Sequence, residues 1–310
     1  MARIATTETA TTVWLDGRLL DDDRVRLHAL THALHYGSSI FEGLRVYPTQ
    51  RGPAIFRLRE HVERLLSGAA TYGMHTTWTA DQLCDAIAAT VRTTGRESAY
   101  VRPLIFFEGE TVRLDPGREC EARAMIAVLP FEGLVPGESG VLNFRATISP
   151  YMKTPSRAMP STVKAGGHYT NSIRALAEAH RRGFDETILL NDRGDVAEGS
   201  GENLFVVRDG VLITNDADAD VLPGITRESI LTLAREAGIA TRIQPIALDD
   251  LLGAGEAFFT GTAAEVVPIV AVDERTWVGE GEVTQRLRIA YSDVVRGRRE
   301  APAKWLTEVR

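Results

Sequence analysis

Lys164 is the residue whose chemistry stands out first, because lysine is almost absent from this chain. Of the 35 basic residues, the lysines are Lys153, Lys164 and Lys304, and the rest are arginines. Lys164 lies between Val163 and Ala165 and is followed by two glycines, so solvation of a surface does not explain it. An amine, unlike a guanidinium, can lose its proton and attack a carbonyl. The pattern favours a nucleophilic lysine, and an ordinary lysine on an exposed loop is the alternative.

Two short turns of small residues could bind an anion. Gly224-Ile225-Thr226 and Gly261-Thr262-Ala263 can each present backbone N–H groups and a hydroxyl to a phosphate, as helix N-termini do. Alone, each turn could equally be a plain turn or helix start without a ligand. Together with Arg64, whose guanidinium could fork two hydrogen bonds onto a phosphate, and with Lys164, they indicate a phosphorylated carbonyl cofactor. Pyridoxal phosphate fits that description.

Such a cofactor needs an anionic partner that keeps its ring nitrogen protonated, so that the ring draws electrons from the reacting carbon. Glu198 is the better candidate because small residues surround it, and Glu202 is its competitor. Either glutamate could instead be a solvated turn residue. Lys164 would form the resting Schiff base and, once displaced by a substrate amine, would move the proton at the substrate Cα.

Residues that could line a substrate pocket come from the first half of the chain. Tyr100 and Arg102 are two apart in a strand-like segment and therefore share a face, where a phenol and a guanidinium could bind a carboxylate. A surface pair is the alternative. Tyr36, Phe41 and Arg45 lie in a segment that passes from a loop into a strand, with glycines that leave room beside the backbone.

Hydrophobic periodicity and turn residues predict the elements that would position these side chains. A helix from Leu58 to Tyr72 places His61 and Arg64 three residues apart on neighbouring positions. The same signals predict strands 12–15 and 18–20 joined at Asp16-Gly17, a helix over 80–93, strands 99–107, 124–129 and 141–148, a helix over 169–182, a hairpin over 203–214, a helix over 227–237 with Thr226 as N-cap, and a last helix over 283–299.

The stretch 131–140 is rich in glycine and proline and is the best domain boundary in the chain. We expect a small N-terminal α/β domain of residues 1–134, an interdomain loop of residues 135–140 and a larger C-terminal cofactor-binding domain of residues 141–310. A chain of 310 residues is long enough for two such cores, which would enclose the cofactor between them.

The composition argues against several classes of partner. A formal charge of -7 leaves no positive excess to hold a nucleic acid or an anionic membrane. No apolar run approaches the roughly 20 residues of a membrane helix, and residues 1–12 contain no signal-peptide core. Cys84, in a helix-like segment, and Cys120, in a loop, show no disulfide or metal spacing, and neither do the histidines. We therefore expect a cytoplasmic protein with small-molecule ligands and no metal.

These residues resemble the branched-chain amino-acid aminotransferases, a family of fold type IV pyridoxal-phosphate enzymes. The resemblance covers nearly the whole chain and rests on six motifs in the family's order: His32–Gly37 with Phe41–Arg45, Tyr100–Ile105, Lys164–Tyr169, Glu198–Phe205, Leu222–Arg227 and Gly261–Glu265. It implies a two-domain α/β (α+β) fold that transfers the amino group of L-leucine, L-isoleucine or L-valine to 2-oxoglutarate by a ping-pong mechanism. It also implies at least a homodimer, with loops that complete the neighbour's site.

The resemblance assigns roles residue by residue. For the cofactor it implies Lys164 as Schiff-base lysine, Glu198 at the pyridine nitrogen, Tyr169 at the phenolic oxygen, and Arg64, Ile225, Thr226 and Thr262 at the phosphate. For the substrate it implies Tyr100 and the amides of Thr262 and Ala263 at the α-carboxylate, Tyr36 and Arg102 at the glutamate side chain, and Phe41 and Arg45 in the pocket wall.

The departures from the family's pattern concern substrate choice. Well-known bacterial members carry a tyrosine where this chain has Leu134, and the loop 110–115 adds the charge of Arg113. The same fold includes D-amino-acid and (R)-amine aminotransferases and an aminodeoxychorismate lyase, so a relaxed transaminase or a lyase is the alternative enzyme. A phosphate-binding protein without catalysis would need the anion turns but not Lys164.

Overall fold

The computed structural model describes residues 12–134, 142–301 and 304–309. By their contacts these residues form two compact units. The N-terminal unit consists of residues 12–132, 163–167, 295–301 and 304–309, and the C-terminal unit of residues 133–134, 142–162 and 168–294. The first break therefore lies next to the predicted boundary, but two later segments pack with the first half of the chain. The assignment of a small domain, a loop at 135–140 and a larger cofactor-binding domain stays a prediction, and that loop lies outside the described residues.

The N-terminal unit is built on an antiparallel sheet. Its elements are β1 (Thr12–Leu15), β2 (Arg18–Asp21), α1 (His32–Tyr36), β3 (Ser39–Phe41), β4 (Leu44–Thr49), β5 (Gly52–Phe56), α2 (Leu58–Thr71), α3 (Ala80–Thr94), β6 (Ala99–Gly109), β7 (Cys120–Pro130) and β16 (Leu306–Glu308). The strand order in the sheet is β16-β5-β4-β6-β7-β1-β2, with β3 paired to β6.

Helices α2 and α3 cover the core of this unit. Leu58, Val62, Leu65 and Ala69 recur at helical spacing along α2 and are all buried in that core. Helix α3 begins with a capping box in which Thr79 and Gln82 satisfy each other's backbone N–H groups. The predicted helices in this region are confirmed, and α2 carries both His61 and Arg64.

The C-terminal unit contains a second sheet. The elements of this unit are β8 (Phe144–Ile148), α4 (Tyr169–Arg181), β9 (Glu186–Ile188), β10 (Asn203–Arg208), β11 (Val211–Thr214), α5 (Ile225–Glu236), β12 (Thr241–Ile243), α6 (Leu248–Leu252), β13 (Glu256–Gly261), β14 (Glu265–Val272), β15 (Arg275–Thr276) and α7 (Glu282–Val295). The strand order in the sheet is β12-β11-β10-β13-β14-β8-β9, and β15 pairs with β14. The pairs β8–β9 and β8–β14 are parallel, and the β10–β11 hairpin is antiparallel.

Several local predictions are wrong for identifiable reasons. Thr226 is not an N-cap: Gly224 is the N-cap of α5, and Thr226 is a buried residue of its first turn. Cys120 begins strand β7 instead of lying in a loop. The last helix ends at Val295 because Gly297 adopts a φ of 63°, a conformation that terminates helices. Helix α1 was not predicted, since five residues are too short for periodicity to show.

The described residues contain no helix that is long and apolar enough to cross a membrane. The cytoplasmic location stays a prediction.

Candidate active site

Lys164 belongs to a five-residue segment, 163–167, that packs against the edge of β3 in the N-terminal unit. Ile40 and Ala165 form an antiparallel bridge, and the Phe41 N–H donates to the Lys164 carbonyl at 3.0 Å. The backbone on both sides of the lysine is thereby fixed, while its side chain is only half-buried. The Lys164 amine lies 5.2 Å from the centre of the Phe41 ring.

The Ala-Gly-Gly sequence after Lys164 has a steric cause. A Cβ on Gly166 would lie 2.4 Å from Ser39 Oγ, a distance that real contacts do not allow. A larger residue would therefore push the segment away from β3 and move the lysine with it. A small residue at Gly166 is therefore needed for the placement of Lys164.

Phe41, Tyr100 and Arg102 lie beside Lys164 in one connected set of contacts. The Arg102 guanidinium lies 4.6 Å from the centre of the Phe41 ring, and its Nη2 donates to the Tyr100 hydroxyl at 3.2 Å. Tyr100 and Arg102 therefore share a face of β6, as predicted. Among the described residues no hydrogen-bond partner exists for the buried Nε of Arg102. A donor in that position suits an anionic ligand.

Arg45 is buried among aromatic rings. Only 3% of it is exposed, and its guanidinium lies 4.5 Å from the centre of the Tyr47 ring and 4.8 Å from that of Phe131. It is paired with Tyr100 across β4 and β6. Stacking of this kind fixes the plane of the guanidinium.

Tyr36 occupies a different environment at the end of α1. It is exposed, and its hydroxyl donates to the Val112 carbonyl at 2.6 Å. Beside it, His32 Nε2 lies 3.1 Å from the Arg113 carbonyl. The Tyr36 ring packs on His32, with 4.7 Å between the ring centres, and not on Phe41, Tyr100 or Arg102. Tyr36 is thus bound to the loop that carries Arg113, whose side chain forms a 3.0 Å ion pair with Glu119.

Arg64 forms a forked ion pair with Glu42. Its Nε donates to Oε1 at 2.5 Å and its Nη2 to Oε2 at 2.9 Å. His61 Nδ1 lies 2.7 Å from the same Oε2, and because an ionised carboxylate only accepts, Nδ1 carries the proton. Sequence reasoning missed Glu42. The available signal was a single acid in the otherwise uncharged stretch Ile40–Leu44, since a carboxylate buried there requires partners.

Glu198, in the C-terminal unit, accepts hydrogen bonds from three different residues. Lys153 donates to its Oε1, and the Asn203 amide and the Leu222 N–H both donate to its Oε2 at 3.1 Å. Its side chain is 9% exposed. Three donors on one buried carboxylate hold it in a single orientation. Lys153, one of the three lysines, was another residue that sequence reasoning did not assign to the site.

Glu202, the competitor, has different partners. It accepts from the Gly201 N–H at 3.0 Å and shares a hydrogen bond with Glu186. Glu186 also accepts from the Ser200 hydroxyl at 2.9 Å, and burial raises its pKa. Two neighbouring carboxyl groups in this position hold the 199–202 turn, whereas Glu198 is the one surrounded by positive and N–H donors.

The start of α5 carries Ile225 and Thr226, which are 8% and 4% exposed. No described side chain caps this helix, and the Gly224 carbonyl accepts the first intrahelical bond. N–H groups of a first turn without a side-chain cap are donors suited to a phosphate. Asn203 joins this turn to Glu198, because its amide also donates to the Leu222 carbonyl at 2.9 Å.

Thr262 and Ala263 are half-buried and lie in the turn between β13 and β14. Shortly before them, Thr260 is 1% exposed and its hydroxyl has no hydrogen-bond partner among the described residues. After them, Glu265 adopts a φ of 59°, so the turn ends in a left-handed residue. Tyr169 is the first residue of α4 and is half-buried.

The residues present fit a phosphorylated pyridine aldehyde. Lys164 is a primary amine suited to the aldehyde carbonyl, and Glu198 is an oriented carboxylate suited to the ring nitrogen. The Arg64 guanidinium and the N-terminus of α5, which has no side-chain cap, are donors suited to the phosphate.

Known proteins resemble this chain over nearly its full length. The model of the class IV amino-transferase family matches residues 39–272. The branched-chain-amino-acid aminotransferase of Escherichia coli (strain K12) is 38% identical over 307 residues, which is 98% of this chain and 99% of that protein.

Two solved structures show the same similarity in three dimensions. A branched-chain aminotransferase from Thermoproteus uzoniensis, determined with norvaline, is 40% identical with a TM-score of 0.92, covering 97% of this chain and 100% of that one. The T.th. branched-chain amino acid aminotransferase, complexed with N-(5'-phosphopyridoxyl)-L-glutamate, is 38% identical with a TM-score of 0.92, covering 97% and 99%. The family resemblance and fold class predicted from the sequence are thus confirmed, and this chain belongs to the class IV aminotransferase family.

Proposed function

We propose that this protein is a pyridoxal-phosphate-dependent aminotransferase that passes the amino group of L-leucine, L-isoleucine or L-valine to 2-oxoglutarate. Similarity over almost the entire chain to enzymes named for this activity carries the proposal. The adduct bound to the T.th. enzyme joins the cofactor to glutamate, the product that amination of 2-oxoglutarate would give.

Residues from several segments of the chain would hold the cofactor. Lys164 would bind its carbonyl carbon, Glu198 its ring nitrogen and Tyr169 its phenolic oxygen. Its phosphate would be held by Arg64, Ile225, Thr226 and Thr262. When bound, pyridoxal phosphate accepts electrons from the substrate Cα and carries the amino group between the two half-reactions.

The chain's own residues would then control a proton and exclude water. Lys164, fixed through its backbone to Phe41, would move a proton between the substrate Cα and the cofactor's carbonyl carbon, away from Cα in the first half-reaction and back to Cα in the second. Glu198, held by Lys153 and Asn203, would keep a proton on the ring nitrogen. Phe41 would cover the amine with an apolar ring and limit the access of water.

Substrate carboxylates would be bound by the Tyr100 hydroxyl and the amides of Thr262 and Ala263 on one side, and by Tyr36 and Arg102 on the other. The connected contacts of Phe41, Tyr100 and Arg102 support carboxylate binding at this face of β6, because they place a hydroxyl and a guanidinium beside one aromatic ring. Arg45, stacked between two rings, would close the pocket wall.

Steady-state kinetics test the substrate class. We expect turnover of L-leucine, L-isoleucine and L-valine with 2-oxoglutarate, and much lower kcat/KM for D-alanine and (R)-1-phenylethylamine with 2-oxoglutarate or pyruvate. Failure to turn over leucine and valine would contradict the proposal. A higher kcat/KM for (R)-1-phenylethylamine would instead favour the relaxed transaminase. The departures from the family's pattern at Leu134 and Arg113 are the reason for testing that alternative.

The role of Lys164 is tested by substitution. Lys164→Ala should abolish transamination and the absorbance band of the covalently held cofactor, because no other described amine is fixed at this place. Lys304→Ala is the matched control, since Lys304 is an exposed lysine of the same unit. Retention of the absorbance band by Lys164→Ala would contradict the assignment of Lys164 as the Schiff-base lysine.

We also propose a homodimer that covers an exposed apolar surface of the N-terminal unit. Leu34 and Leu114 are 74% and 78% exposed, with Leu27, Leu30 and Val112 in the same two segments, and the Tyr36–Val112 hydrogen bond joins those segments. A second copy of the chain would remove this surface from water. Light scattering should give a dimer or a multiple of it, and Leu34→Asp with Leu114→Asp should give monomers, whereas Val278→Asp on an exposed site elsewhere should not.

A further inference from the structure

Glu42 is a fully buried acid immediately after β3. None of its surface is exposed, and its N–H donates to the Pro103 carbonyl of β6 at 2.9 Å. A lone carboxylate in such a place would be costly to bury. The Glu42 carboxylate is therefore expected to pair with the polar groups that surround it.

Those groups are Arg64 and His61, one helical turn apart on α2. The Nε and Nη2 edge of the guanidinium is spread over both Glu42 oxygens, which defines the plane and direction of Arg64. His61, which is 2% exposed, binds Oε2 and stops the carboxylate from rotating. A guanidinium has five N–H donors, and the edge formed by Nη1 and Nη2 is the second fork, of the kind that grips a phosphate.

The charges are consistent with this arrangement. Burial alone would raise the pKa of Glu42, but Arg64 and His61 hold it far below its usual range, so the carboxylate is ionised. Burial lowers the pKa of His61 despite the opposing effect of Glu42, so the imidazole is neutral at neutral pH. The cluster therefore contains one anion and one cation, with a neutral donor that orients the anion.

The same short segment also contacts the nucleophile. Phe41 precedes Glu42, and its N–H donates to the Lys164 carbonyl. Consecutive residues thus fix Lys164 through the backbone and Arg64 through a side chain. Displacement of Glu42 would alter the relative position of the two groups proposed to hold opposite ends of the cofactor.

We propose that Glu42 is a positioning residue that orients Arg64 for the cofactor phosphate, with His61 locking the carboxylate. The inference rests on the proposed function, because it takes the ligand of Arg64 to be that phosphate. A purely structural ion pair would instead affect stability and leave the recognition of the phosphate unchanged.

Equilibrium binding of pyridoxal phosphate and of pyridoxal, which lacks the phosphate, separates the two roles. Glu42→Gln should weaken pyridoxal-phosphate binding about 10- to 100-fold, the usual effect of losing a charge-assisted hydrogen bond, and leave pyridoxal binding near wild type. Glu42→Asp keeps the charge but withdraws the carboxylate, so it should show the same selective loss. It also serves as the second variant if Glu42→Gln does not fold.

Glu60→Gln is the matched control. It removes a carboxylate that binds Arg57 at 2.6 Å at the start of the same helix, and it should leave both affinities unchanged. Equal loss of both ligands in the Glu42 variants, or unchanged or tighter pyridoxal-phosphate binding, would overturn the inference. Arg64→Gln distinguishes the two levels: if it leaves phosphate recognition intact, the proposed role of Arg64 fails, whereas if it abolishes recognition and the Glu42 variants do not, only the role of Glu42 fails.

Discussion

Lys153 bonds the carboxylate that is proposed to face the ring nitrogen. Glu198 is held by three donors, of which Lys153 is the charged one. Two of the chain's three lysines are therefore tied to the candidate site, and Lys304 is exposed. The scarcity of lysine in the sequence therefore pointed to Lys153 as well as to Lys164.

Replacing Lys153 by methionine should loosen Glu198 and weaken the binding of pyridoxal phosphate. Loss of a charge-assisted hydrogen bond costs about 1.5 to 3 kcal/mol, or roughly a tenfold to hundredfold change in affinity. Lys153→Arg should recover part of it. Absorbance titration of the variants with cofactor is the measurement, and wild-type affinity for Lys153→Met would contradict the role.

Gly43 makes room for Tyr100, because a Cβ at Gly43 would lie 1.9 Å from the Tyr100 hydroxyl. Gly43→Ala must therefore displace the hydroxyl and its hydrogen bond from Arg102. We expect KM for the amino acid to rise about tenfold, with a smaller change in kcat, since a carboxylate contact is lost. Gly73→Ala tests a glycine with open space around it, although its φ of 67° adds backbone strain. A KM unchanged by Gly43→Ala would contradict the role of Tyr100.

Helix α2 combines core packing and site residues on one element. Leu58, Val62 and Leu65 are buried in the core, while His61 and Arg64 reach Glu42. The helix was predicted from its sequence because its apolar residues recur locally. Its contact with Glu42 was not, since residues 42 and 61 are brought together only when β3 and α2 pack on the same core.

The buried His61 makes stability depend on pH. The pKa of His61 is lowered in the folded protein, so at a pH near or below about 6.5 the unfolded chain binds a proton at this residue that the folded protein does not. The free energy of unfolding therefore falls as the pH falls below that value. The slope can reach about 1.4 kcal/mol per pH unit. His61→Gln, which keeps a donor for Glu42, should lose less stability than wild type as the pH is lowered from about 7.5 to about 5.5 in urea unfolding. Equal losses would show that His61 does not titrate as described.

At the scale of the whole molecule, the chain returns to its first half at its end. Strand β16 pairs with β5, and Trp305 packs edge-on against Phe56 at 5.7 Å and lies 5.1 Å from the Arg57 guanidinium. This last segment closes the edge of the N-terminal sheet, next to the start of α2. It therefore supports the helix that carries Arg64.

Trp305→Ala should destabilise the N-terminal unit by about 3 to 5 kcal/mol, the usual cost of removing a buried large aromatic side chain. Hydrogen exchange should become faster at the amides of β5, which face β16, and remain slow in β10 and β13 of the other unit. Exchange that rises equally in both sheets would argue against a local role for this segment.

The sequence by itself determined what depends on neighbours along the chain: the hairpin at Asp16-Gly17, the hairpin over 203–214, the amphipathic helices α2 and α3, and the motifs that identify the family. Tertiary structure alone decided which distant groups meet. It placed residues 163–167 on β3, brought Glu42 to Arg64 and Lys153 to Glu198, and returned the C-terminal strand to β5. Periodicity and turn chemistry are local properties of the backbone, whereas the partner of a buried charge is chosen by packing between segments far apart in sequence.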